Sequence, residues 1–99
     1  MARSSEKLIP EDSLEKIIEK LKAIGHPDRL QIVNIVMNGE CQVGEIVKAL
    51  GKKQPIISQQ LSKLRLSGVL KSKRHGHYMY YSFADKNIKK IIAAILSEV

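Results

Sequence analysis

The chain has 99 residues, with 17 Lys or Arg against 10 Asp or Glu, a net charge of +7. That length makes one domain, and a hydrophobic fraction of 43% belongs to a folded chain rather than a disordered one. No apolar run approaches the ~18–20 residues of a membrane span, the N-terminus lacks a signal-peptide core, and a single cysteine excludes an internal disulfide framework and fits a reducing cytoplasm.

Residues 1–12 are polar and unpatterned and are expected to form a flexible arm ahead of one folded domain over residues 13–99. Asp12 and Glu15 have capping-box spacing. Leu14, Ile17, Ile18, Leu21 and Ile24 recur every three or four residues and predict a first helix with one apolar stripe, ended by Gly25. Pro27 suits the first position of a second helix, and Asp28 suits its positive end. Leu30, Ile32, Val33, Ile35, Val36 and Met37 leave that helix little polar face, so it is expected to be central, closing at Asn38-Gly39.

Val43, Ile46, Val47 and Leu50 predict a short third helix stopped by Gly51. Pro55 opens a fourth, with Ile57, Leu61 and Leu64 inward and Gly68 as its stop. Residues 69–74 and 78–83 have strand composition and are joined by His75-Gly76-His77. All four aromatics (Tyr78, Tyr80, Tyr81 and Phe83) fall in the second strand; alternation turns Met79, Tyr81 and Phe83 toward the core. Asp85 caps a fifth helix whose stripe (Ile88, Ile91, Ile92, Ile95, Leu96 and Val99) is aliphatic. The fold class is mainly α with a small β-hairpin.

The charge is not spread evenly. Lys48, Lys52, Lys53, Lys63, Arg65, Lys71, Lys73 and Arg74 lie in one stretch, and no Asp or Glu occurs from Ile46 through Ala84. This is the footprint of a surface that meets a polyanion. The third and fourth helices, joined by a short Gly-containing link, have the helix-turn-helix arrangement. Opposite its apolar stripe the fourth helix presents Pro55, Gln59, Ser62 and Leu66, with Ser58 and Lys63 on the flanks. An α-helix fits the DNA major groove, where Gln pairs with adenine and Ser serves any base. The candidate groove residues are therefore Gln54, Ser58, Gln59, Ser62 and Lys63. Lys52 and Lys53 ahead of the helix, and Lys73, Arg74, His75 and His77 on the hairpin, are candidates for phosphate and wing contacts. Leu66 has no role on this side unless it meets the hairpin. The competing readings are a solvated polar helix face, a hairpin charged for solubility, and a tyrosine platform for single strands. An enzyme is not expected, because no carboxylate pair, Cys–His arrangement or phosphate-cradling glycine loop has usable spacing.

Four motifs carry a family resemblance over residues 14–99: His26-Pro27-x-Arg29, the Q-x-x-x-S-x-x-L helix from Gln54, the x-G-V-L exit at Gly68, and the R-x-G-x-x-x-Y-Y wing from Arg74. Together they resemble the ArsR/SmtB family of bacterial winged-helix repressors. The resemblance implies a winged helix-turn-helix fold, a homodimer through the first and fifth helices, and binding of double-stranded operator DNA that blocks transcription, modulated by an inducer. The aliphatic fifth helix independently suits a dimer seam.

The chain departs from the family's metal sensors. Their Cys-x-Cys at the start of the third helix is here Gln42-Val43-Gly44-Glu45-Ile46. On the fifth helix Asp85 matches a second family site, but Asn87 replaces its first His and Glu98 stands at the second. Zinc needs about four N, S or O ligands, so no metal and no cofactor are expected. His75-x-His77 offers two ligands, too few for a site. Cys41 reads either as a small buried hydrophobe or as a redox or persulfide sensor limited to one thiol per chain. His26 is expected to be structural. Arg29 reads either as a buried or capping ion-pair partner or as a phosphate contact. The expected function is a sequence-specific, homodimeric repressor in the cytoplasm acting on an inverted repeat, with the inducer unassigned. The alternatives are a winged-helix RNA- or protein-binding module without an operator, or a repressor answering to Cys41 oxidation.

Overall fold

The computed structural model describes residues 7–99, so residues 1–6 of the expected arm lie outside it. Five helices and a three-stranded sheet follow in the order α1 (Glu11–Ile24), α2 (Pro27–Val36), β1 (Cys41–Gln42), α3 (Val43–Leu50), α4 (Gln54–Leu66), β2 (Leu70–His75), β3 (Tyr78–Phe83) and α5 (Lys86–Leu96).

Helix α1 begins two residues inside the expected arm. Pro10 is its N-cap, with φ −54° and no side-chain cap, and the Pro10 carbonyl accepts the Leu14 N–H at 2.9 Å. The capping box expected of Asp12 and Glu15 is therefore not what starts the helix. The proline ring pre-sets the backbone two residues earlier, and Asp12 lies in the first turn, where its charge suits the dipole. Gly25 is the C-cap at φ −85°, so it ends α1 without the left-handed conformation expected of a C′ glycine. Helix α2 opens as read: Pro27 is in its first turn, and His26 caps it by accepting the Asp28 N–H on Nδ1 at 3.1 Å.

The exit of α4 sets where the wing begins. Val69 N–H bonds to the Leu64 carbonyl at 3.0 Å and Gly68 N–H to the Arg65 carbonyl at 3.1 Å. This is the Schellman pair of bonds, and it requires the positive φ of 85° that Gly68 supplies. The hairpin then pairs Leu70 with Phe83 through to His75 with Tyr78. Its loop is thus two residues, Gly76-His77, one shorter than expected. Gly76 takes φ 62°, the Gly-first pattern of a II′ turn. The third strand, β1, was not anticipated. Cys41 and Gln42 pair antiparallel with Tyr81 and Tyr80, giving the order β1-β3-β2, and two residues are too few to show alternation.

The core gathers Ile32, Val33, Val36, Ile46, Ile57, Leu61, Leu64, Val69, Leu70 and Ile92. Tyr81 and Phe83 pack against it half-buried, whereas Met79 does not reach it. The stripe of α1 behaves differently. Ile24 is buried, but Leu14, Ile17, Ile18 and Leu21 remain 41–42% exposed. Helix α5 divides likewise: Ile88 and Ile92 are buried, while Ile91, Ile95 and, past the helix end, Val99 face outward. Asp85 caps α5 by accepting N–H bonds from Asn87 and Ile88, and its other oxygen holds Lys20 Nζ of α1 at 2.6 Å. The Lys20 ammonium, helped by the two amide bonds, outweighs the opposing desolvation and holds the Asp85 carboxyl below its ordinary pKa.

Candidate nucleic-acid interface

Helix α4 has two faces of opposite character. Ile57, Leu61 and Leu64 have no solvent exposure. Across the helix Gln54, Ser58, Gln59 and Lys63 are exposed and Ser62 is half-buried. The buried stripe fixes the rotation of the helix, so its Gln and Ser side chains point outward as one group. The N-terminus of α4 has no side-chain cap and no acidic residue in its first turn, and Lys53 stands at the N-cap position. Uncapped amides at the positive end of a helix are suited to a phosphate. Lys52 is placed differently: its Nζ is 2.8 Å from Asp28 Oδ1 at the start of α2.

The wing residues do not form one surface. Cross-strand register puts Lys71, Lys73 and His75 on the same side as Tyr78, Tyr80 and Ser82. Arg74 shares the other side with Ser72, Met79 and Tyr81, and His77 is in the turn. All four candidates (Lys73, Arg74, His75 and His77) are exposed. The His75 ring meets Tyr80 edge-on, with centroids 5.5 Å apart. The tyrosines are divided too: Tyr78 is exposed on one side and Tyr81 packs against the core on the other. That division takes Tyr81 out of a stacking platform and leaves Tyr78 and Tyr80 on the other side.

Three side-chain bonds found here, made by two residues, had no signal in the sequence. Gln42 Nε2 donates to Tyr80 Oη at 2.9 Å, tying the start of α3 to the wing. Arg29 donates from Nε to the Ala23 carbonyl at 2.6 Å and from Nη1 to Gln60 Oε1 at 2.8 Å. The bonds to Tyr80 and Gln60 join residues more than thirty apart in the chain, and polar pairs of this kind leave no periodicity. Leu66 is 72% exposed. It lines a shallow groove between α1 and α4 with Glu19, Lys22, Arg29 and Lys63.

Cys41 is buried, with Sγ 3.4 Å from the Gly39 carbonyl and 3.8 Å from that of Ile35. Burial first, and then the Glu45 carboxylate, pushes its pKa up. A thiolate is the reactive form, so this setting opposes reactivity. Among the described residues no group of three or more His, Cys, Asp or Glu gathers around one point, and no helix is long and apolar enough to cross a membrane.

The model of the bacterial regulatory protein arsR family matches residues 26–72. An uncharacterized HTH-type transcriptional regulator of Methanocaldococcus jannaschii is 35% identical over 85 residues, covering 85% of this chain and 96% of that protein. The crystal structure of the transcriptional repressor PagR of Bacillus anthracis superposes with TM-score 0.81 at 37% identity, over 87% of this chain and 99% of that one. The solution structure of a homodimeric winged helix-turn-helix DNA-binding domain from Mycobacterium bovis gives TM-score 0.82 at 26% identity, over 88% and 81%. These relatives are regulators and not enzymes.

Proposed function

The chain belongs to the arsR family of DNA-binding transcriptional repressors, and on that premise we propose that it acts as a homodimer on an inverted-repeat operator. Helix α4 enters the major groove, with Gln54, Ser58, Gln59, Ser62 and Lys63 toward the bases. Lys53 and the α4 N-terminus hold a phosphate, Lys52 supplements them, and Lys73, Arg74, His75 and His77 reach the flanking backbone. The observation that carries this reading is the exposed Gln and Ser face of a helix locked by a fully buried opposite stripe.

The exposed apolar residues of α1 and α5 are the surfaces through which two copies join, and a two-fold protein calls for a two-fold site. The protein works in the cytoplasm, where its DNA is, and needs no cofactor to bind. No inducer is assigned: among the described residues no group of three or more His, Cys, Asp or Glu gathers, and the Cys41 thiol is buried with its pKa raised.

Selection of bound sequences from randomised duplex DNA tests the whole reading. The expected product is a palindrome whose half-sites lie about one helical turn apart. Recovery of a single unrepeated half-site would remove the dimer. Displacement of bound duplex by single-stranded RNA, at matched salt, would replace the repressor reading with an RNA-binding one.

A further inference from the structure

Three side chains at the start of α2 are committed, one to its cap and two to other elements. His26 caps the helix. Asp28 holds Lys52, two residues ahead of α4. Arg29, half-buried, spans from the last turn of α1 at Ala23 to the middle of α4 at Gln60. Its guanidinium answers a carbonyl at the negative end of the α1 dipole. At the same time it grips the side chain next in sequence to Gln59. The link before α4 and the body of α4 are thus each tied to α2, and Arg29 adds a tie to α1.

We infer that Arg29 is a positioning residue for DNA recognition: a strut that sets the placement of α4 against α1, and not a phosphate contact. The inference rests on the DNA-binding reading above. If α1 lies in the dimer seam, the α1–α4 relation sets how far apart the two recognition helices stand. An error at Arg29 is then carried to both half-sites. Two of the guanidinium's donor groups are committed within the chain. A lysine in its place keeps the charge but is a single point that cannot reproduce the forked geometry.

Arg29→Lys, Arg29→Gln and Gln60→Ala test this in the full chain, with a duplex selected by the wild-type protein as probe. A strut predicts that both Arg29 variants lose binding by roughly tenfold with the salt slope unchanged, because no phosphate contact is lost. Gln60→Ala is expected to weaken binding as well. In combination with Arg29→Lys its effect should overlap rather than add; a Gln60 that touched DNA by itself would add. Wild-type affinity in Arg29→Lys, together with a slope lower by about one in Arg29→Gln, would make Arg29 a phosphate contact and overturn the inference. So would wild-type affinity in Gln60→Ala, which decides the matter alone if the Arg29 variants fail to fold. If the wild-type chain selects no duplex at all, it is the DNA-binding reading that falls, before any variant is made.

Discussion

Helices α1 and α4 carry apolar stripes of the same spacing, yet the two meet opposite fates. Ile57, Leu61 and Leu64 of α4 are sealed, while Leu14, Ile17, Ile18 and Leu21 of α1 keep about two-fifths of their surface in water. The stripe of α4 is closed by α2, α3 and the entry to β2. On α1 only the last turn, at Ala23 and Ile24, reaches that core. With Ile91 and Ile95 of α5 and Val99 beyond its end also outward, the open stripe exceeds the scattered apolar residues of an ordinary surface. Periodicity therefore reports that a face will be covered, without reporting by what.

Substitutions on the two stripes should separate these roles. The largest effect belongs to the sealed one: Leu61→Ala should cost about 2–5 kcal/mol in chemical denaturation, with Leu14→Ala well below it in a monomer. An equal loss in the two would mean that α1 is already closed by a partner. Next comes Ile91→Asp, which should leave the helical spectrum intact yet shift sedimentation from dimer to monomer and weaken operator binding at least about tenfold. A dimer that survives it moves the seam elsewhere.

On the far side of α4, Gln59→Ala should cost about 1–3 kcal/mol of binding and relax preference at one base pair. Equal loss across all sequences would assign Gln59 to the phosphates. The smallest effect is at Asp85, which joins α5 to α1 within one copy. Its lowered pKa means that the charged form stabilises the fold above the ordinary carboxylate value of ~3.9. That contribution is lost as the pH falls through the folded value. Asp85→Asn should melt slightly earlier at neutral pH, and its curve should rejoin the wild type in acid; a constant gap at every pH would place the effect in packing.

Much of the fold was legible because the chain punctuates itself. Pro27 and Pro55 open helices, and Gly51, Gly68 and Gly76 sit at positive φ where turns require it. The face of α4 was legible too, since Leu, Ile, Gln and Ser alternate with the helical period. Three things were not. Strand β1 spans two residues, shorter than any pattern. Pro10 and not Asp12 caps the first helix: two start signals overlap within three residues, and spacing alone does not rank them. The pairing of Lys52 with Asp28 at 2.8 Å is the third, since the fold sets two distant charges side by side without any local pattern.

By itself the sequence determined the element types, the inward residues of α2 and α4, the acid-free basic segment and the family motifs, all of which depend on local spacing and composition. The tertiary structure alone decided which stripes are sealed and which stay open. It also split the wing's basic residues between two faces, buried the thiol of Cys41, and joined Arg29 to both Ala23 and Gln60. Those outcomes depend on where elements separated by tens of residues come to rest, and a side chain's partners across such distances are set by the packing of the whole domain.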